Sequence, residues 1–166
     1  MTVLVSMLAV AQAPPPAPLP KEGSGTMVTM GSVTPKVLQL GTDRMQMTWE
    51  FLGVTIDDAG KGLGHNNSVR CVGSVHVVNG VNETYTNSCV STRTDGDQFF
   101  TTEKFLESTG PMSKGGVMKG TSTITGGTGK LAGITGTSEW MRYGVRPALE
   151  GTFQTVTRAQ SSYKLP

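Results

Sequence analysis

The chain of 166 residues carries 14 basic and 12 acidic side chains, a net charge of +2, and only 16% of it is charged. That balance gives no dense positive field of the kind a phosphate backbone requires, so no nucleic acid is expected as a partner. No apolar run approaches the roughly 18 residues of a membrane helix either, and the protein is not expected to be membrane-spanning. With 22 glycines and 23 threonines the composition disfavours helix interiors and suits strands with one wet face, which points to a single all-β domain.

Residues 1–13, Met1 to Ala13, form an apolar stretch ending in small residues and read as a signal-peptide-like segment, with Ala9-Val10-Ala11 the favoured cleavage site. No basic residue precedes it. The expected location is secreted or periplasmic. Residues 14–25 follow as a Pro/Gly-rich linker, and 26–166 as a single barrel domain.

Short β-rich runs then alternate with turn residues. The candidate strands are 27–33, 36–40, 45–56, 68–78, 82–91, 97–107, 116–125, 132–143 and 149–160. In the third, Met45, Met47, Trp49 and Phe51 share one face, while Gln46, Thr48, Glu50 and Leu52 share the other. Eight or nine such segments remove their free edges by closing on themselves. The fold expected is therefore a closed antiparallel barrel of about eight strands, lipocalin-like, with room for core side chains or one small ligand.

Cys71 and Cys89 flank Asn79-Gly80, a strong hairpin signal. A two-residue turn pairs positions whose numbers sum to 159 and sets Cys71 opposite Ser88. One extra loop residue makes the sum 160, so that Cys71 faces Cys89, Val75 faces Tyr85 and Val77 faces Glu83. A structural disulfide is then feasible, worth about 3 kcal/mol on the chain-entropy view. Two reduced core thiols are the alternative, and nothing beside either cysteine would generate a reactive thiolate.

Asp95-Gly96-Asp97 reads as a turn, since the ligand series of a calcium loop is missing. Gly126-Gly127-Thr128-Gly129-Lys130 sounds like a phosphate cradle, but Leu131 follows where a Walker loop needs Ser or Thr, and no helix follows. A tight strand connection with a short element at 130–133 is expected instead.

The run from Thr125 to Gly136, TGGTGKLAGITG, resembles the glycine-rich segment shared by dirigent proteins and the allene oxide cyclase type of eight-stranded barrel. It also resembles small exported bacterial proteins that combine this run with a C-V-x-T-x-x-DGD stretch, matched here by Cys89 to Asp97. The resemblance covers roughly residues 45–160. It implies a barrel whose lumen holds an apolar molecule and, in the cyclase and dirigent members, steers a reactive intermediate without a metal or organic cofactor. No cofactor and no metal are accordingly expected here. The resemblance would set the first-strand glutamate of the cyclases at Glu50, although the flanking TWEFLG does not reproduce the family pattern and no diagnostic catalytic residue carries over.

Acid–base work by a desolvated carboxylate is the sharpest chemical possibility, with Glu50, Glu103 and Glu139 as candidates. Glu103 shares its face with Phe99, Thr101 and Phe105, whereas Glu50 shares the ordinary wet face with Gln46 and Thr48. Trp140 and Arg142 share a face that alternation alone assigns equally to lumen or rim. Glu103 and Arg142 are thus the candidate catalytic residues. Trp49, Phe51, Tyr85, Phe99, Phe105 and Trp140 are the candidate ligand contacts. His65 and His76 read as ordinary surface or core residues. The expected function is an exported barrel that binds a small apolar or aromatic molecule. The alternatives are a cofactor-free cyclase or isomerase and a solid-packed structural protein, and a homo-oligomer stays open.

Overall fold

Runs of β-branched and polar residues, cut at each turn by Gly, Asn or Asp, form eight strands in the computed structural model, which describes residues 18–147 and 149–166. The strands are β1 (Glu22–Gln39), β2 (Arg44–Asp57), β3 (Asn67–Val78), β4 (Val81–Thr92), β5 (Gln98–Ser108), β6 (Val117–Gly127), β7 (Thr135–Val145) and β8 (Phe153–Lys164). Each pairs antiparallel with the next, and β8 pairs with β1, so the sheet closes as an all-β barrel in sequence order. No helix among the described residues is long and apolar enough to cross a membrane.

Several boundaries differ from expectation, among them β8, which runs Phe153–Lys164 instead of 149–160. The segments 27–33 and 36–40 are one continuous strand of 18 residues, and Thr34-Pro35 does not interrupt it. Pairing of β1 with β8 ends at Val33↔Phe153, while pairing with β2 continues through Pro35↔Trp49. Proline therefore sits where one edge of the strand has lost its neighbour, a position that tolerates a missing N–H. β1 also begins at Glu22, inside the stretch read as linker, because Glu22↔Lys164 and Gly23↔Tyr163 extend its ladder with β8. The signal-like segment 1–13 lies outside the described residues.

The cysteine hairpin uses both registers considered above. Asn79 (φ 51°) and Gly80 (φ 77°) make a two-residue turn with both central residues at positive φ, closed by Val78↔Val81. A shift between His76 and Val77 then moves the register, so that Val77 faces Asn82 instead of the expected Glu83, while Val75↔Tyr85 and Cys71↔Cys89 pair as expected. The extra residue is a bulge in the strand and not a longer loop. Cys71 and Cys89 form a disulfide with a Cα–Cα distance of 4.0 Å.

One end of the barrel is plugged. Leu131 and Ile134, each 1% exposed, pack with Leu63, Phe99 and Ile124, joined by Leu19, Tyr163 and Leu165. The glycine-rich run supplies this plug by winding Gly129–Leu131 into one turn of 3-10 helix, which delays the start of β7 from 132 to Thr135. A second cluster of Val33, Phe51, Val69 and the two cysteines, flanked by Trp49 and Phe153, crosses the waist.

Candidate binding cavity

Above the waist the barrel is hollow. Strand alternation directs Met47, Trp49 and Phe51 of β2, Val75 of β3 and Tyr85 of β4 into a cavity of about 900 Å³. Toward its mouth, Met45, Met47, Met112 and Met118 add flexible thioether surface. Trp49, Tyr85 and Phe105 run along the wall as a chain of rings, with centroids 5.5 and 5.7 Å apart.

Each tryptophan occupies space that a glycine leaves open on the neighbouring strand. Trp49 pairs with Gly73, and Trp140 with Gly120. A Cβ on either glycine would fall 2.3 or 2.2 Å from the respective indole ring.

At the floor a set of polar side chains converges. Arg142 Nη2 donates to both oxygens of Glu103 at 2.9 and 3.1 Å, and Nε donates to Thr157 Oγ1 at 3.0 Å. Tyr85 Oη donates to Glu103 Oε2 at 3.1 Å, as does Asn87 Nδ2 at 2.9 Å, and Asn87 Oδ1 accepts from Trp49 Nε1 at 3.1 Å. The pair is well buried, with side-chain exposures of 17% for Arg142 and 9% for Glu103. The guanidinium also lies 4.6 Å from the Trp140 ring centre, within cation–π range.

This surrounding sets two protonation states. Burial, reinforced by the Glu103 charge, holds the Tyr85 hydroxyl far above the ordinary tyrosine pKa, so it stays a neutral donor. Burial alone would lower the Arg142 pKa, but Glu103 and Tyr85 together outweigh it, and the guanidinium stays charged.

Trp49, Phe51, Tyr85 and Arg142 line the large cavity, as does Phe105. Glu103, Phe99 and Trp140 face a smaller chamber of about 90 Å³ beneath it, which Arg142 also lines. Glu103 thus neutralises Arg142 from below. Phe99 belongs to the plug, and neither it nor Trp140 reaches the large cavity. The Trp140–Arg142 face, undecided by alternation, points inward. Glu50 instead accepts from Arg70 on the outer surface, and Glu139 is exposed. His76 stands 3.3 Å from Glu83. Among the described residues no group of His, Cys, Asp and Glu side chains is arranged to hold a metal ion.

Sequence reasoning missed Asn87 and Thr157. Asn87 lies two residues from Cys89 on the same strand, so the same alternation that aligned the cysteines would have placed it inside. The chain matches no described protein family, and no curated protein or solved structure matches it.

Proposed function

We propose that this protein is an exported binding barrel that holds a small, largely apolar molecule in its upper cavity. The observation that carries the reading is a lumen of about 900 Å³, walled by apolar and aromatic side chains, with a few convergent polar groups at its floor. That is the usual composition of a small-molecule site, in which apolar walls supply affinity and a few polar groups fix orientation. The buried Cys71–Cys89 disulfide supports an oxidising compartment, in keeping with the signal-like N-terminus. Incubation of the purified protein with neutral lipid, polyene and phenolic mixtures, followed by native mass spectrometry, tests it. A retained adduct of one-to-one stoichiometry is expected, and an unliganded spectrum across all mixtures overturns the reading.

A second reading has one specific support. Arg142 and Tyr85 line the cavity floor with Glu103 bonded to both from beneath, an oriented charge pair of the kind that polarises an intermediate without a cofactor. Kinship with the allene oxide cyclase and dirigent barrels is proposed on the same footing, from the glycine-rich run and the eight-stranded closure. Turnover of a captured ligand, abolished in folded Arg142→Ala, distinguishes a cyclase or isomerase from a carrier.

A further inference from the structure

We propose that the molecule this cavity takes is uncharged and bears one hydroxyl-type oxygen, which docks between Arg142 and Tyr85. The inference rests on the binding reading above and specifies its ligand class.

It follows from where the floor's hydrogen-bonding capacity is already committed. Of the guanidinium nitrogens of Arg142, Nε is held by Thr157 and Nη2 by both oxygens of Glu103. The contact of Nη1 is Tyr85 Oη at 3.5 Å, the longest of the set, so Nη1 is the least committed donor on a residue that lines the cavity. Tyr85 donates its hydroxyl hydrogen bond to Glu103, and with Nη1 at long range on one lone pair its oxygen has room to accept from one further donor. A ligand hydroxyl complements both, accepting from Nη1 and donating to Tyr85 Oη.

Charge excludes the ionic versions of the same ligand. Glu103 and Arg142 cancel one another at the floor. A carboxylate entering there would set two anions against one guanidinium in apolar surroundings, with one negative charge left without compensation. An ammonium would meet Arg142. The other charged side chain along the cavity, Glu107, is held by Lys119 in an exposed pair at the rim, away from the floor. Above the floor, the methionine-lined walls fit an apolar body of variable shape.

The test compares octan-1-ol, octanoate and octylammonium at pH 8 by calorimetry on the full chain. Octan-1-ol is expected to bind at least about tenfold more tightly than either ion, since desolvating an uncompensated charge outweighs what the shared chain contributes. Octanoate binding as tightly as the alcohol overturns the inference while leaving the binding reading intact. Binding of none of the three, together with no retained adduct in the mass spectra, overturns both. Glu103→Gln strips the counter-charge from Arg142, and the preference should then move toward octanoate by about tenfold or more. A folded Glu103→Gln protein with an unchanged ratio also contradicts the inference, and the wild-type ratio decides the matter if that variant does not fold.

Discussion

The Asp97 carboxylate accepts a hydrogen bond from the backbone N–H of Lys130 at 3.1 Å, tying the turn before β5 to the glycine-rich connection before β7. Around it, Thr128 N donates to Gln98 O at 2.8 Å, Gln98 N donates to Thr128 Oγ1 at 2.9 Å, and Lys130 Nζ stands 3.5 Å from Asp95. The DGD stretch and the GGTGK run, separate motifs in sequence, are thus one clamp beside the plugged end. Gly129 sits under it at φ +53°, where a Cβ would fall 1.8 Å from Asp97 Oδ1. Gly129→Ala should therefore lose about 1–3 kcal/mol of stability from strain and displacement of Asp97. A lowered urea midpoint with an unchanged slope is the expected result, and an unaltered midpoint would show that the clamp yields freely.

Asp95 gives the clamp a pH dependence. Burial acts to raise its pKa, but the Asp97 backbone N–H, Arg93 and Lys130 together prevail and hold it below the usual carboxylate value. A carboxylate depressed in the folded state stabilises above its unfolded pKa, and the contribution disappears as pH falls through the folded value. Wild-type stability should accordingly decline below about pH 4, and Asp95→Asn should flatten part of that decline. Parallel acid-denaturation curves for the two proteins would refute the assignment.

Removing the disulfide by Cys71→Ser with Cys89→Ser, or by reduction, should cost about 3 kcal/mol. The bridge joins paired residues on adjacent strands at the waist, so the folded barrel stays closed and the loss arises chiefly from a less constrained unfolded chain. Urea denaturation with and without reductant measures it, and coincident curves would contradict it.

The Glu103–Arg142 pair should show strong coupling. Arg142→Met alone leaves a buried carboxylate without its cation and is expected to cost about 3–5 kcal/mol, whereas adding Glu103→Gln should recover part of that loss. Additive losses in the double-mutant cycle would mean that the two side chains do not act as a pair.

Tyr85 should be silent in an alkaline titration. Its folded pKa lies above the ordinary 10.0, so its contribution to stability is complete below that value and falls as pH rises beyond it, where the unfolded chain releases the proton first. Ionisation followed at 295 nm should be the same for wild type and Tyr85→Phe until the protein unfolds. A missing wave in the variant below that point would place Tyr85 in contact with water.

Strand alternation made much of this barrel legible. Met45, Met47, Trp49 and Phe51 fall on one face of β2 because side chains alternate along a strand, and the 160 sum aligned Cys71 with Cys89 because cross-strand pairs share a face. What escaped depends on the third dimension. Pro35 reads as a break unless one knows that β8 has already ended beside it. The inward set of β7 was ambiguous locally, because Trp140 and Arg142 become interior residues only when Gly120 makes room on β6 and Glu103 arrives from β5. A large ring on one strand opposite a glycine on the next, seen at Trp49–Gly73 and Trp140–Gly120, is a pairing signal that single-strand periodicity does not contain.

Titration of the neutral probe N-phenyl-1-naphthylamine into wild type, Val75→Trp and Val72→Trp tests most directly whether the lumen binds. Val75 is 4% exposed and lines the cavity, whereas Val72 is 52% exposed on the outer face of the same strand. One saturable site is expected in wild type and in Val72→Trp, with its loss in folded Val75→Trp. Equal binding by all three proteins would place the probe on the outer surface and contradict the account of a ligand held within the barrel.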